Sequence, residues 1–198
     1  MRPSWALALL AAIGLTACGS EEPRELTGFR REPAPAVGEF SLPAVNQGGD
    51  DYALRAAEDR LLVVYFGYTN CPDFCPTTLS DLRLATRRLD DDLADRIDVA
   101  MVTVDPDRDL PILGDYITSF FDDGVALGTD DLAALAAVSA PFGVQYNVGT
   151  ADDGEIEVAH STLLYAIDDA GELALTWQFG VTIDDLAADL EQLLEAPA

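Results

Sequence analysis

The sequence has no lysine, one histidine, three cysteines and two methionines, and each scarcity narrows what the chain can do. With every base an arginine, 11 basic residues face 36 acidic ones, and the formal charge is −25 over 198 residues. A surface of that sign repels a phosphate backbone, so nucleic-acid binding by phosphate neutralisation is excluded. The single histidine, His160, rules out both a paired-histidine zinc-protease motif and a three-histidine metal site. Met101 is the one methionine beyond the initiator, so no methionine-rich copper site can be built. Walker-type phosphate loops and G-x-S-x-G nucleophile elbows are absent as well. What is present is ordinary globular composition, 49% hydrophobic and 24% charged, sufficient for one domain.

The first residues read as a targeting segment. Arg2 precedes an apolar run from Trp5 to Ala17 that is shorter than the ~20 residues of a spanning helix. It ends in Leu15-Thr16-Ala17-Cys18-Gly19, which resembles the lipobox of bacterial lipoproteins. That resemblance implies removal of residues 1–17, acylation of Cys18 and an extracytoplasmic domain anchored to the cell membrane by lipid. Residues 18–38 are rich in Pro and Glu with little periodicity and are expected to form a flexible tether, leaving 39–198 as the folded domain.

Within that domain, strands and helices alternate. Leu61 to Tyr68 is an unbroken apolar run, the pattern of a strand buried on both faces, and Ile97 to Val104 is a second. Apolar residues at Leu79, Leu82, Leu89 and Leu93 predict an amphipathic helix from Pro76 to about Leu93. Further helices are expected over Ile112 to Phe121 and Leu132 to Phe142, with a short strand at Val125 to Gly128. Ser161 to Ile167 and Leu173 to Phe179 flank the turn Asp168-Asp169-Ala170-Gly171 as a hairpin, and Thr182 can cap a last helix, Ile183 to Leu194. This order predicts an α/β protein with a central mixed sheet flanked by helices and resembles the thioredoxin-like fold.

Cys71 and Cys75 fall between the first buried strand and the first helix, where open α/β sheets gather their reactive groups. Each is followed by proline, which disfavours helical conformation at the cysteines and suits Pro76 to the first helical position. The helix end favours thiolate, whereas the acidic surface and the neighbouring Asp73 and Asp81 oppose it. A structural disulfide, a redox-active pair and a metal site are all compatible with this spacing. If His160, just before the hairpin, packs beside that helix end, two thiolates and one imidazole form a soft set suited to Cu(I), Cu(II) or zinc.

Three separated motifs carry a family resemblance: Phe66-Gly67-Tyr68-Thr69-Asn70-Cys71-Pro72-Asp73-Phe74-Cys75-Pro76, then Val104-Asp105-Pro106-Asp107-Arg108-Asp109, then His160-Ser161 before an apolar strand. Together, across about Phe40 to Leu194, they resemble the Sco/SenC copper proteins. The resemblance implies a thioredoxin-like domain that binds one copper ion, Cu(I) or Cu(II), through Cys71, Cys75 and His160. It also implies assembly of the dinuclear copper centre of cytochrome c oxidase subunit II, with an upstream extracytoplasmic copper chaperone as donor. Asn70 departs from the histidine the family often has there, which changes what surrounds the ligands. The acidic turn at Asp105 to Asp109 reads as a strand-to-helix connection in which Arg108 pairs with a neighbouring aspartate. The other reading of the same cysteines is an extracytoplasmic thiol–disulfide oxidoreductase acting on a membrane-associated partner, which would not need His160.

Overall fold

The computed structural model describes residues 24–196; the expected signal peptide and the lipidation site Cys18 lie outside the described residues. Among the described residues no helix is long and apolar enough to cross a membrane.

The apolar run becomes β3 (Leu61–Gly67), which is buried along its whole length. It follows a small antiparallel pair, β1 (Ser41–Pro43) and β2 (Asp51–Ala53). β3 pairs in parallel with β4 (Ile97–Thr103), which pairs in parallel with β5 (Val125–Leu127). On the other side β3 pairs antiparallel with β8 (Leu164–Ile167), itself antiparallel to β9 (Leu173–Trp177). The five-stranded order is β5-β4-β3-β8-β9, a mixed sheet of thioredoxin-like type. The period of two along β3 sends Leu61, Val63 and Tyr65 into one core and Leu62, Val64 and Phe66 into the other.

Helices cover both faces. Leu79 and Leu82 of α1 (Phe74–Thr86) fill the first core with Leu113 and Ile117 of α4 (Leu113–Thr118) and Leu186 and Leu190 of α6 (Ile183–Glu195). Leu135, Val138 and Phe142 of α5 (Leu132–Phe142) fill the second. The single helix expected to reach Leu93 is broken: α1 ends at Thr86 and a separate turn, α2 (Asp91–Ala94), follows. α5 falls where the sequence placed it, capped by Asp131, which accepts from the N–H groups of Ala133 and Ala134, and ended by Gly143 at φ +73°. Thr182 caps α6 by accepting from Asp185 N.

Besides the β1–β2 pair, two further features were not anticipated. A second hairpin, β6 (Tyr146–Thr150) and β7 (Ile156–His160), stands outside the main sheet, and His160 is its last residue. Residues 24–38, expected to hang free as part of the tether, lie along β9 instead. Phe29 bridges Thr176, Ala36 bridges Glu172, and Val37 is fully buried. Asp189 of α6, also fully buried, holds the segment by accepting from Thr27 N, Gly28 N at 2.9 Å and Trp177 Nε1 at 2.8 Å, and by pairing with Arg24.

Candidate metal centre

β3 ends in Gly67 and releases the chain into the loop Tyr68–Asp73, which enters α1. A side chain at Gly67 would meet the Tyr65 ring at 2.7 Å and Cys75 Sγ at 3.1 Å, so glycine is what lets the helix start close over the strand. Cys71 lies on the loop and Cys75 in the first turn of α1, both buried and both free thiols. The expectation that neither cysteine is helical fails for Cys75. Pro76 itself is tolerated in this first turn because its missing N–H would have no intrahelical partner there, and Cys75 before it is helical all the same. No side chain of Asp73 caps α1; Cys71 Sγ accepts from Cys75 N at 3.3 Å in its place.

His160 arrives from the second hairpin, paired with Tyr146 and followed by Ser161, whose N–H donates to Gln145 O. Its Nδ1 lies 2.8 Å from Ser161 O and its Nε2 3.6 Å from Cys75 Sγ. A carbonyl can only accept, so Nδ1 carries the proton and Nε2 presents its lone pair to the sulfurs. Burial lowers the imidazole pKa, against the pull of the Ser161 and Phe66 carbonyls, and favours the neutral form that a metal requires. Two aromatic rings hold it edge-on: Tyr68 at 5.6 Å and Tyr65 at 6.1 Å between centroids.

The Cys71, Cys75 and His160 ligand atoms all lie within 4.8 Å of one another. Metal–sulfur bonds of about 2.3 Å would place two bound sulfurs roughly 4 Å apart, so the metal-free arrangement is close to a ligated one. The donors fit a soft ion: two thiolates suit Cu(I) and zinc, and imidazole extends the range to Cu(II).

The two sulfurs are not equivalent. Burial opposes ionisation of Cys71, but hydrogen bonds from the backbone of Cys75 and Asp73 and from the side chains of Cys75 and Tyr68 outweigh it, and the thiol lies below its ordinary value. Burial pushes Cys75 up to about 12, against hydrogen bonds from Tyr65 and the Tyr68 backbone, and the neighbouring Cys71 raises it further. The favourable helix-end environment expected for both thiols is thus delivered to Cys71 alone.

Two residues that local pattern did not mark complete the site. Tyr65 donates its hydroxyl to Cys75 Sγ at 3.5 Å from inside β3, where it reads as one more apolar core residue. Asp109, in the short helix α3 (Pro106–Asp109), is fully buried and accepts from Thr69 N at 3.0 Å, Thr69 Oγ1 at 2.5 Å and Thr103 Oγ1 at 2.6 Å. The acidic turn therefore clamps the cysteine loop to the end of β4. Arg108 pairs with Asp105, as the sequence suggested. Asn70 is exposed and lines a cleft between the cysteine loop and the second hairpin.

A family model described as SCO1/SenC matches residues 29–195, nearly the whole of the described chain. The chain belongs to the SCO1/SenC family. It is 34% identical to the SCO2-like protein of Rickettsia prowazekii over 137 residues, 68% of this chain and 65% of that relative. The chain thus spans about two thirds of that relative's length. The apo Sco1 protein of Thermus thermophilus superimposes with a TM-score of 0.73 at 29% identity, over 85% of this chain and 97% of that one. Bradyrhizobium japonicum ScoI, solved with copper bound, gives a TM-score of 0.65 at 28% identity, over 77% and 96% of the two chains.

Proposed function

We propose that this SCO1/SenC protein is a copper chaperone that carries one copper ion on Cys71, Cys75 and His160 and serves assembly of the dinuclear copper centre of cytochrome c oxidase subunit II. The observation that carries the reading is the convergence of exactly these three soft donors, from three separate elements, to within 4.8 Å. A structural role for the cysteines would not need an imidazole with its lone pair turned toward them. The copper-bound relative from Bradyrhizobium japonicum supports the choice of metal. The lipobox resemblance at Cys18 and the family resemblance of the three motifs support an extracytoplasmic, lipid-anchored carrier, loaded by an upstream copper chaperone. A lipid tether suits delivery to a membrane-bound acceptor because it raises the local concentration at that target.

The unequal thiols favour a second activity at the same site. Cys71, with its lowered pKa, can attack a disulfide, and Cys75 can then resolve the mixed disulfide. Reduction of an acceptor's cysteines before copper transfer would use both properties.

A copper titration of the reduced domain, alongside His160→Ala and Cys71→Ser, decides the first reading. One equivalent bound tightly by the native domain and lost or strongly weakened in both variants is expected. Binding indifferent to His160 would remove the three-ligand site and leave the thiol–disulfide activity as the function.

A further inference from the structure

The segment before β1 is bonded to the sheet along its length. Phe29 and Thr176 exchange backbone hydrogen bonds at 2.9 and 3.0 Å, Leu173 N donates to Pro35 O at 3.0 Å, and Val37 N and Gly38 N both donate to Gly171 O. Both of its bridges to β9, Phe29 to Thr176 and Ala36 to Glu172, are antiparallel. Its first residues carry the strongest fastening, since Arg24, Thr27 and Gly28 all meet the buried carboxylate of Asp189.

The direction of this strap decides where the chain leaves the domain. β3 and β9 are each antiparallel to β8 and so point the same way. The C-terminal end of β9, at Trp177, therefore lies at the end of the sheet where β3 opens into the cysteine loop. Running against β9, the strap has Gly38 at the opposite end, beside the β8–β9 turn, and Arg24 to Phe29 at the metal-binding end, beside Thr176 and Trp177. Six peptide steps separate Arg24 from Cys18 and span at most about 20 Å. With the strap loose, 20 steps would separate Cys18 from Gly38, a reach of up to about 70 Å, and the domain would hang by the end away from its metal site.

We propose that the strap is an orientation device: it turns the metal-binding end of the domain toward the lipid surface and keeps it there, so that Cys71, Cys75 and His160 are presented to a membrane-embedded partner whose exchanging group lies close to the bilayer. The inference rests on the lipid anchor at Cys18 proposed above. Attraction to the bilayer cannot supply the orientation, because a chain of net charge −25 is repelled by anionic headgroups. The covalent path must supply it, and any pull on the anchor enters the domain where Asp189 holds the strap.

Energy transfer from the two ends of the sheet to the membrane tests this on the full, lipidated chain. With Cys71 and Cys75 changed to Ala, a donor dye is placed on a single new thiol, either Asn70→Cys at the metal-binding end or Ala170→Cys in the β8–β9 turn, both exposed positions. The protein is bound to phosphatidylcholine vesicles that carry a headgroup-labelled acceptor lipid. The ends of β9 are about 16 Å apart, so transfer from position 70 is expected to exceed that from position 170 roughly twofold or more. Twelve Gly and Ser residues inserted after Pro23 lengthen the tether without touching the strap and should shrink this difference, and Asp189→Ala, which frees the strap's first residues, should shrink it too. Equal transfer from the two positions, a larger value from position 170, or a difference that survives the insertion would overturn the proposal. A chain that does not float with vesicles would remove the anchor and this orientation together, while the copper titration would still judge the metal site by itself.

Discussion

Thr69 and Asp109, forty residues apart, are joined by two hydrogen bonds, from Thr69 N at 3.0 Å and from Thr69 Oγ1 at 2.5 Å. Because Thr69 is two residues before Cys71, this contact sets the path of the metal-binding loop. Asp109→Ala is expected to weaken copper binding and to lower stability by about 1–3 kcal/mol, through the buried donors left unpaired. Competition titration and urea unfolding read the two effects.

The same residue gives the stability a pH signature. Burial raises the Asp109 carboxyl above its ordinary value, against the hydrogen bonds from Thr103 and Thr69. The folded state therefore holds that proton more tightly than the unfolded chain. Its contribution is complete below the unfolded pKa and is lost as pH rises through the folded one. Native protein and Asp109→Ala should consequently differ most in acid, the gap narrowing as pH climbs past the ordinary carboxylate range. A gap that widened over that interval would contradict this assignment.

Cys71 and Cys75 should label in order. Iodoacetamide reacts with thiolate, and Cys71 lies below the ordinary thiol value while Cys75 is held near 12. Peptide mapping of the metal-free protein at neutral pH is expected to find Cys71 modified first and Cys75 protected until the domain unfolds. Equal labelling would show that the first turn of α1 does not distinguish them.

Asp189 ties residues 24–28 to the domain through Arg24, Thr27, Gly28 and Trp177. Leaving a buried donor unpaired costs about 1–3 kcal/mol, and Asp189→Ala would strand Thr27 N, Gly28 N and Trp177 Nε1, so it should be destabilising and should alter Trp177 fluorescence. Deleting residues 24–28 should produce much of the same loss, and the two changes together should fall well short of their sum. Additive losses would mean that the strap and Asp189 act separately.

Much of this was legible in the sequence because it is local. The all-apolar run of β3, the Thr182 cap of α6, and the two cysteines at a strand end each follow from neighbouring residues. The second hairpin was not legible: its strands, Tyr146–Thr150 and Ile156–His160, are exposed or half-buried, so they lack the core-facing alternation that marks a strand. The break after Thr86 has no glycine or proline to announce it. Asp109 stands in a motif that the resemblance marked and Asp189 looks like one more acid in an acidic chain, and only the fold shows that each is buried and accepts from several donors. The metal set was legible through the resemblance of the three motifs, with the single histidine as the one imidazole available to it.

Tyr65 offers the most selective change at the site. Its hydroxyl donates to Cys75 Sγ and its ring is fully buried, so Tyr65→Phe deletes one donor while keeping the packing. Burial, and next Cys75, raise the phenol pKa, so the hydroxyl stays protonated as a donor across the pH range in which the site works. A hydrogen bond to a charged acceptor contributes about 1.5–3 kcal/mol, which sets a loss of roughly 10- to 150-fold as the ceiling for copper affinity in the variant. Ligation spreads the sulfur charge onto the metal, so the charge that Tyr65 must stabilise is larger when Cys75 attacks a mixed disulfide as the free thiolate. Tyr65→Phe is therefore expected to raise the Cys75 pKa further and to slow resolution of a Cys71 mixed disulfide by a larger factor than it weakens copper. Stopped-flow disulfide exchange and copper competition on the same preparation compare the two, and a variant that lost copper while resolving disulfides at the native rate would show that Tyr65 acts through the metal and not through the thiol.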